Sequence, residues 1–145
     1  MSLYTKTVTI QNLSDTTTYW TTTNNYHVYF EELKDDNTPR FGPSRKPNQV
    51  WLFWGSGDNI VSILSVQCDK NQPLAFTYNP DCEKQLFTVR PYVPYNVTQL
   101  FKITIDNGGN FSLQSVIDSK KFAISNDRNI DTSNFSTYQW KLTYL

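Results

Sequence analysis

Gln49-Val50-Trp51-Leu52-Phe53 and Gln99-Leu100-Phe101-Lys102-Ile103 lie 50 residues apart and follow one pattern. Each opens on glutamine, sets a large ring two residues later and then alternates, the period of a half-buried strand. Each then runs into a tight-turn signal, Gly55-Ser56-Gly57-Asp58 in one case and Asp106-Asn107-Gly108-Gly109 in the other. Gly, Asn and Asp tolerate the positive φ that such turns require. A further strand follows each turn, Val61-Ser62-Ile63-Leu64-Ser65-Val66 and Phe111-Ser112-Leu113-Gln114-Ser115-Val116. The ends of the chain complete the pattern. Val8-Thr9-Ile10-Gln11-Asn12-Leu13 fits the strand after a turn, and Tyr138-Gln139-Trp140-Lys141-Leu142 fits the strand before one.

Between these anchors the chain reads as strand after strand. Strands are expected over 8–10, 19–22, 27–33, 49–54, 60–66, 74–78, 86–89, 99–105, 111–116, 121–125, 129–133 and 138–144. No segment keeps apolar residues at helical spacing, so almost no helix is expected. Three units of four strands, about 1–54, 55–105 and 106–145, make one all-β domain over 1–145. The third is shorter, so a loop must be trimmed there. Such units can close a barrel of six strands and cap it with three hairpins, which removes exposed strand edges. Ile10, Trp51, Phe53, Ile63, Phe101, Ile103, Leu113, Trp140 and Leu142 are the expected core. A two-sheet sandwich is the competing fold, but it does not predict a threefold repeat.

Lys+Arg and Asp+Glu both number 13, so no charge surplus favours a phosphate backbone. The densest basic group, Arg40, Arg45 and Lys46, follows Asp35 and Asp36. Nucleic acid is not an expected partner. One histidine and two cysteines give poor material for zinc, and no cofactor is expected. Cys68 and Cys82 allow one bridge, but two reduced thiols are the plainer reading. The first residues lack an apolar h-region and no stretch is long enough to cross a bilayer. The expectation is a soluble cytoplasmic protein, or one released by a non-classical route, without membrane insertion. Sequons at Asn12, Asn96, Asn110 and Asn134 read as chance matches in an Asn- and Thr-rich chain.

Binding is a better expectation than catalysis. His27 is flanked by Tyr26 and Val28 in a strand, which suits a structural role. No nucleophile elbow, zinc-protease motif or phosphate loop occurs. Glu31, Glu32, Asp35 and Asp36 are adjacent acids whose alternating directions oppose a carboxylate dyad. Trp54, beside the Gly55 turn, is expected to plug one end of the barrel. Tyr92 and Tyr95 lie in a Pro-restrained loop that suits either binding or packing.

Asn48-Gln49-Val50-Trp51, Gln99-Leu100-Phe101 and Gln139-Trp140 together resemble the Gln-x-Trp signature of ricin B-type β-trefoil lectins. The layout is also similar to small fungal lectins and bacterial haemagglutinin components, over the whole chain. The second copy has Phe101 for Trp, and the third sets Gln139 directly beside Trp140. The resemblance implies a β-trefoil in which the glutamine and ring are mainly structural. It also implies a sugar site built from three parts: an acid near the end of a unit's second strand, a ring on its third, and an Asn just before the signature. In the first unit these positions hold Asn24, Asn25, Tyr29 and Asn48. In the second they hold Asn79, Tyr92 and Asn96. The third offers Asp127 and Asn134, with Phe135 and Tyr138 as neighbouring rings. No unit carries the full set.

The function so implied is that of a carbohydrate-binding protein with shallow sites for glycans or glycoconjugates. Several sites or a homodimer would raise avidity. Storage or defence would suit such a lectin. Two alternatives belong to other classes. One is a protease inhibitor acting through 35–48, stiffened by Pro39, Pro43 and Pro47 and presenting Arg40, Arg45 or Lys46. The other is a module that docks onto a larger assembly.

Overall fold

The structure is a computed structural model that describes residues 6–15, 17–23, 26–32, 47–57, 59–69, 72–80, 87–118, 121–126, 129–133 and 140–145. Cys82, Asn24, Asn25, Asp127, Asn134 and most of 35–48 lie outside the described residues. Twelve strands are described: β1 (Lys6–Asn12), β2 (Thr18–Thr22), β3 (Val28–Glu32), β4 (Trp51–Gly57), β5 (Ile60–Asp69), β6 (Gln72–Tyr78), β7 (Phe87–Pro91), β8 (Phe101–Ile105), β9 (Asn110–Ser115), β10 (Phe122–Asn126), β11 (Asn129–Ser133) and β12 (Trp140–Tyr144). The alternating segments of the sequence are these strands. Gln49 and Gln99 are the exception, since both end short 3₁₀ turns, Pro47–Gln49 and Val97–Gln99, instead of opening strands.

Pairing closes a ring. β1 pairs with β4, β4 with β5, β5 with β8, β8 with β9, β9 with β12, and β12 with β1, all antiparallel. The ring uses the first and last strand of every four. The middle two form hairpins: β2 with β3, β6 with β7, and β10 with β11. A sandwich of two stacked sheets is therefore ruled out. Closure leaves no free edge on the ring strands, which would otherwise be templates for aggregation. The third unit is the short one because only 134–139 join β11 to β12, against 33–50 between β3 and β4.

The ring's interior repeats. Val8-Thr9-Ile10, Val61-Ser62-Ile63 and Phe111-Ser112-Leu113 are buried throughout. The closing strands bury Trp51 and Phe53, Phe101 and Ile103, Trp140 and Leu142. All nine residues expected in the core are there. Trp54 is a correction: it is 43% exposed and plugs nothing. It follows Phe53 in β4, so alternation turns it away from the interior.

Trp20 is the core residue that the repeat conceals. Trp51 Nε1–H donates to the Trp20 carbonyl at 3.1 Å, and Trp140 Nε1–H donates to the Ala123 carbonyl at 3.0 Å. Trp20 and Ala123 thus hold equivalent places on β2 and β10. A tryptophan in one unit fills the room that an alanine leaves in another. Its ring sits 4.9 Å from that of Trp140, 5.7 Å from Trp51 and 4.7 Å from Phe76. Both contacts with tryptophan are edge-to-face, the arrangement the ring quadrupole favours.

The glutamines of the signature are pegs. Gln49 Nε2 donates to Thr21 Oγ1 at 3.3 Å and to the Glu32 carbonyl at 2.8 Å. Gln99 Nε2 repeats this with Thr77 Oγ1 at 3.2 Å and the Pro91 carbonyl at 3.0 Å. Each peg ties the turn before a ring strand to both strands of its hairpin. The third unit has Ile124 where the threonine would be, and Tyr138, not Gln, two residues before Trp140. The glutamine of the signature and the threonine it bonds thus change together in the sequence, which marks the pair as a device of the fold.

The two inter-unit turns also share a device. Asn59 (φ 59°) and Gly109 (φ 83°) both adopt the left-handed conformation. Their carbonyls accept from Ile103 N at 2.8 Å and Leu142 N at 2.9 Å. A Cβ on Gly109 would stand 2.9 Å from the Leu142 carbonyl oxygen. Gly109→Ala is therefore expected to cost about 1–3 kcal/mol, the range for strained backbone. Trp20→Ala should cost about 3–5 kcal/mol by opening a cavity, and Ala123→Leu about 1–3 kcal/mol by overpacking. Urea unfolding followed by circular dichroism measures all three. Equal stability of Trp20→Ala and the parent would show that Trp20 does not fill the axis.

Candidate functional site

Register decides which side chains share a surface, because a slip of one residue turns a strand over. In the first hairpin Trp20 pairs with Phe30 on the core side. The rungs on either side, Thr21 with Tyr29 and Tyr19 with Glu31, therefore point to the side opposite Trp20, where Thr21 is buried and Tyr29, Tyr19 and Glu31 are half-buried. The pegs and tryptophan hydrogen bonds align the other hairpins with this one. There the corresponding rungs are Thr77 with Thr88 and Ala75 with Arg90, of which only Arg90 is exposed, and Ile124 with Asp131 and Phe122 with Ser133. The position of Tyr29 is thus held by Thr88 in the second unit and Asp131 in the third. Only the first of these carries a ring.

Tyr29 is half-buried and its hydroxyl donates to Glu31 Oε1 at 2.5 Å. Among the described residues no other ring stacks on it. Tyr19 stands across the strand pair from Glu31 and is also half-buried. Gln49 and Thr21 close the floor of this face, both buried. The result is a shallow surface with two phenol rings and a carboxylate, beside the turn that leads into β4. Sequence reasoning found Tyr29 but missed Glu31 as its partner. It treated Glu31 as one of several adjacent acids, although alternation puts residues 29 and 31 on one face.

The other expected residues are placed differently. Asn48 Nδ2 donates to the Thr22 carbonyl at 3.4 Å, while its Oδ1 is buried and without a partner. Asn48 is thus bonded to the end of β2 from the turn that precedes β4. Asn79 Nδ2 donates to the Thr77 carbonyl at 3.4 Å and to Thr88 Oγ1 at 2.9 Å, across its own hairpin. Asn96 Oδ1 caps the turn Val97–Gln99, accepting from Thr98 N at 3.1 Å and Thr98 Oγ1 at 2.8 Å. Tyr92 lies beyond the end of β7, where its backbone N donates to the Pro73 carbonyl. It is not on the rung equivalent to Tyr29. Asn24, Asn25, Asp127 and Asn134 lie outside the described residues. The His27 backbone bridges to Thr88 between two hairpins and its carbonyl accepts the Thr23 N–H at 3.0 Å.

Burial, the hydrogen bond to Glu31 and the negative charge of that carboxylate push the Tyr29 phenol up to about 12. All three favour the neutral phenol, so the pair stays locked at physiological pH. A raised value means that the folded chain holds the proton longer. The contribution of Tyr29 to stability is whole below the ordinary value of 10.0 and is lost as pH climbs through about 12. An alkaline absorbance titration of the parent minus Tyr29→Phe should show one phenol ionising near 12. Glu31→Gln should lower that midpoint. A difference curve centred near 10 in the parent would contradict the pairing.

No protein-family model matches the chain, and no curated protein matches it. Solved structures do. The BEL β-trefoil superposes with a TM-score of 0.68 at 12% identity, covering 98% of this chain and 94% of that one. SeviL, solved bound to asialo-GM1 saccharide, gives a TM-score of 0.65 at 12% identity over 96% and 97% of the two chains. A mosquitocidal holotoxin gives 0.70 at 16% identity; 95% of this chain is covered, which spans 17% of the toxin. Likeness at such identities speaks for architecture, and it agrees with the closed ring and three hairpins: the chain folds as a β-trefoil.

Proposed function

We propose that this β-trefoil binds carbohydrate, and that the site is the face of the first hairpin opposite Trp20, with Tyr29 and Tyr19 as rings and Glu31 as acceptor. One observation carries the reading. Of the three equivalent faces, the first alone sets two phenol rings side by side, and one of them, Tyr29, is held by a hydrogen bond to the Glu31 carboxylate on the neighbouring rung. A pyranose has an apolar face that a ring can cover and hydroxyls that a carboxylate can accept. Trefoil neighbours include SeviL, solved with a saccharide, which supports the sugar class. Asn24 and Asn25 follow β2 in sequence, and they join the proposal as amides for further hydroxyls.

The site is open, so single sugars should bind weakly. A millimolar dissociation constant is about −4.1 kcal/mol, and each 1.4 kcal/mol is about tenfold. Losing one ring contact is thus enough to erase detectable binding. The test is a glycan array with the intact protein, followed by titration calorimetry on any ligand found. Tyr29→Ala should weaken binding by about tenfold or more, and Glu31→Gln by less. Arg90→Ala, on the equivalent face of the second unit, should bind as the parent does. No glycan bound by the parent would sink the sugar reading. Glycan binding that survives Tyr29→Ala would move the site elsewhere.

A further inference from the structure

The exposed large apolar side chains are not scattered. Five of the seven such residues among those described, Val93, Tyr95, Val97, Val116 and Ile117, lie on two adjoining loops. One is the connection from β7 to β8, and the other follows β9. Two hydrogen bonds brace the first loop and a third joins it to the second. Asn96 N donates to the Val93 carbonyl at 3.1 Å, Leu100 N to the Val97 carbonyl at 3.3 Å, and Val116 N to the Leu100 carbonyl at 3.2 Å. Clustered apolar exposure of this kind marks an interaction surface.

The surface has a protrusion and a shelf. Tyr95 is 94% exposed, and its φ of 65° turns it out of the loop. The loop beneath is fixed, since the Gln99 peg accepts the Val93 N–H at 2.9 Å through Oε1. A tyrosine held in the left-handed region is under backbone strain, which the surrounding bonds must impose. Val97, Val116 and Ile117, each less than half exposed, are the aliphatic part of the two joined loops.

We propose that this surface is a self-association face, on which a second copy of the chain docks with its Tyr95 against the Val97, Val116 and Ile117 shelf of the first. Two arguments select a second copy over other occupants. A twofold interface needs one patch that carries both a protrusion and the surface that receives it, and this patch carries both. Charge also favours it. Residues 91–100 contain no charged side chain, and the residues that flank the two loops in the chain carry both signs, exposed Arg90 and Lys102 and half-buried Asp118. An anionic bilayer would meet no uniformly basic collar, whereas two copies can set these opposite charges together. Tyrosine is among the residues that anchor interface centres. Such a dimer would couple two copies of any ligand site, but the inference does not depend on the sugar reading.

Sedimentation equilibrium of the full chain, from about 10 to 500 μM, tests it over the range of weak specific association. The parent should rise from the mass of one chain towards that of two. Tyr95→Asp and Ile117→Asp should each stay monomeric with the parent's circular dichroism, since both side chains are exposed. A mixture of the two variants should regain part of the dimer, because one intact protrusion still meets one intact shelf. A parent that stays monomeric throughout, variants that associate like it, or a mixture with no recovery would each overturn the proposal. Co-sedimentation of a monomeric parent with phosphatidylcholine vesicles, lost in Tyr95→Asp, would overturn it in favour of a lipid surface.

Discussion

The pairing of β1 with β12 is the contact on which the rest depends. Five consecutive residues, Val8 to Asn12, register against Tyr144 to Trp140. They bring together the two ends of the described chain and turn a row of strands into a ring. Without it, β1 and β12 would each present an unpaired edge, and the interior would open to water along that seam. Ile10 and Leu142 are partners in this ladder and both are buried in the core. Backbone closure and apolar burial are therefore achieved by the same residues. The contact spans almost the whole described chain, so its loop-closure cost is high and the other strand pairs must support it.

Threefold architecture does not require threefold chemistry. The backbone repeats, yet the axis is filled unequally, with Trp20 in one unit and Ala123 at the equivalent place. The buried Trp20 Nε1 has no hydrogen-bond partner. A buried N–H left so is costly, and the filling of the axis must outweigh it. The glutamine pegs follow the same logic. Two units use a Gln–Thr pair, and the third has Ile124 in the threonine's place. Each unit solves the same geometric problem with its own side chains. The rungs on the side opposite the axis are under no such demand. They hold Tyr29, Thr88 and Asp131 at one equivalent position, and a single unit is left with a tyrosine bonded to a carboxylate on its surface.

Much of the fold was legible before any coordinates. The alternation in Trp51-Leu52-Phe53 and Phe101-Lys102-Ile103 is a local property of extended chain, and the strands fall where it indicates. The turn at Asp106-Asn107-Gly108-Gly109 was legible for the same reason: the Asp106 carboxylate accepts from Gly108 N and Asn110 N, and Gly109 supplies the positive φ. The site was legible only in part. Tyr29 and its strand are legible in the sequence, whereas the place of Tyr92 beyond β7 and the local bonds of Asn48, Asn79 and Asn96 are not. All three amides hold their own turns or hairpins. An asparagine that caps a turn and one that binds a sugar look the same in sequence, because the difference lies in which backbone group stands beside it.

The sequence by itself determined the all-β character, the three units and the identity of most core residues. These follow from side-chain period and turn chemistry, which act over a few residues. The tertiary structure decided the closure of the ring, the place of Trp20 on the axis, the pairing of Tyr29 with Glu31 and the joining of two distant loops into one apolar face. Each of these depends on register between strands far apart in the chain. Register is set by how the whole set of strands packs at once, so no single stretch of sequence contains it.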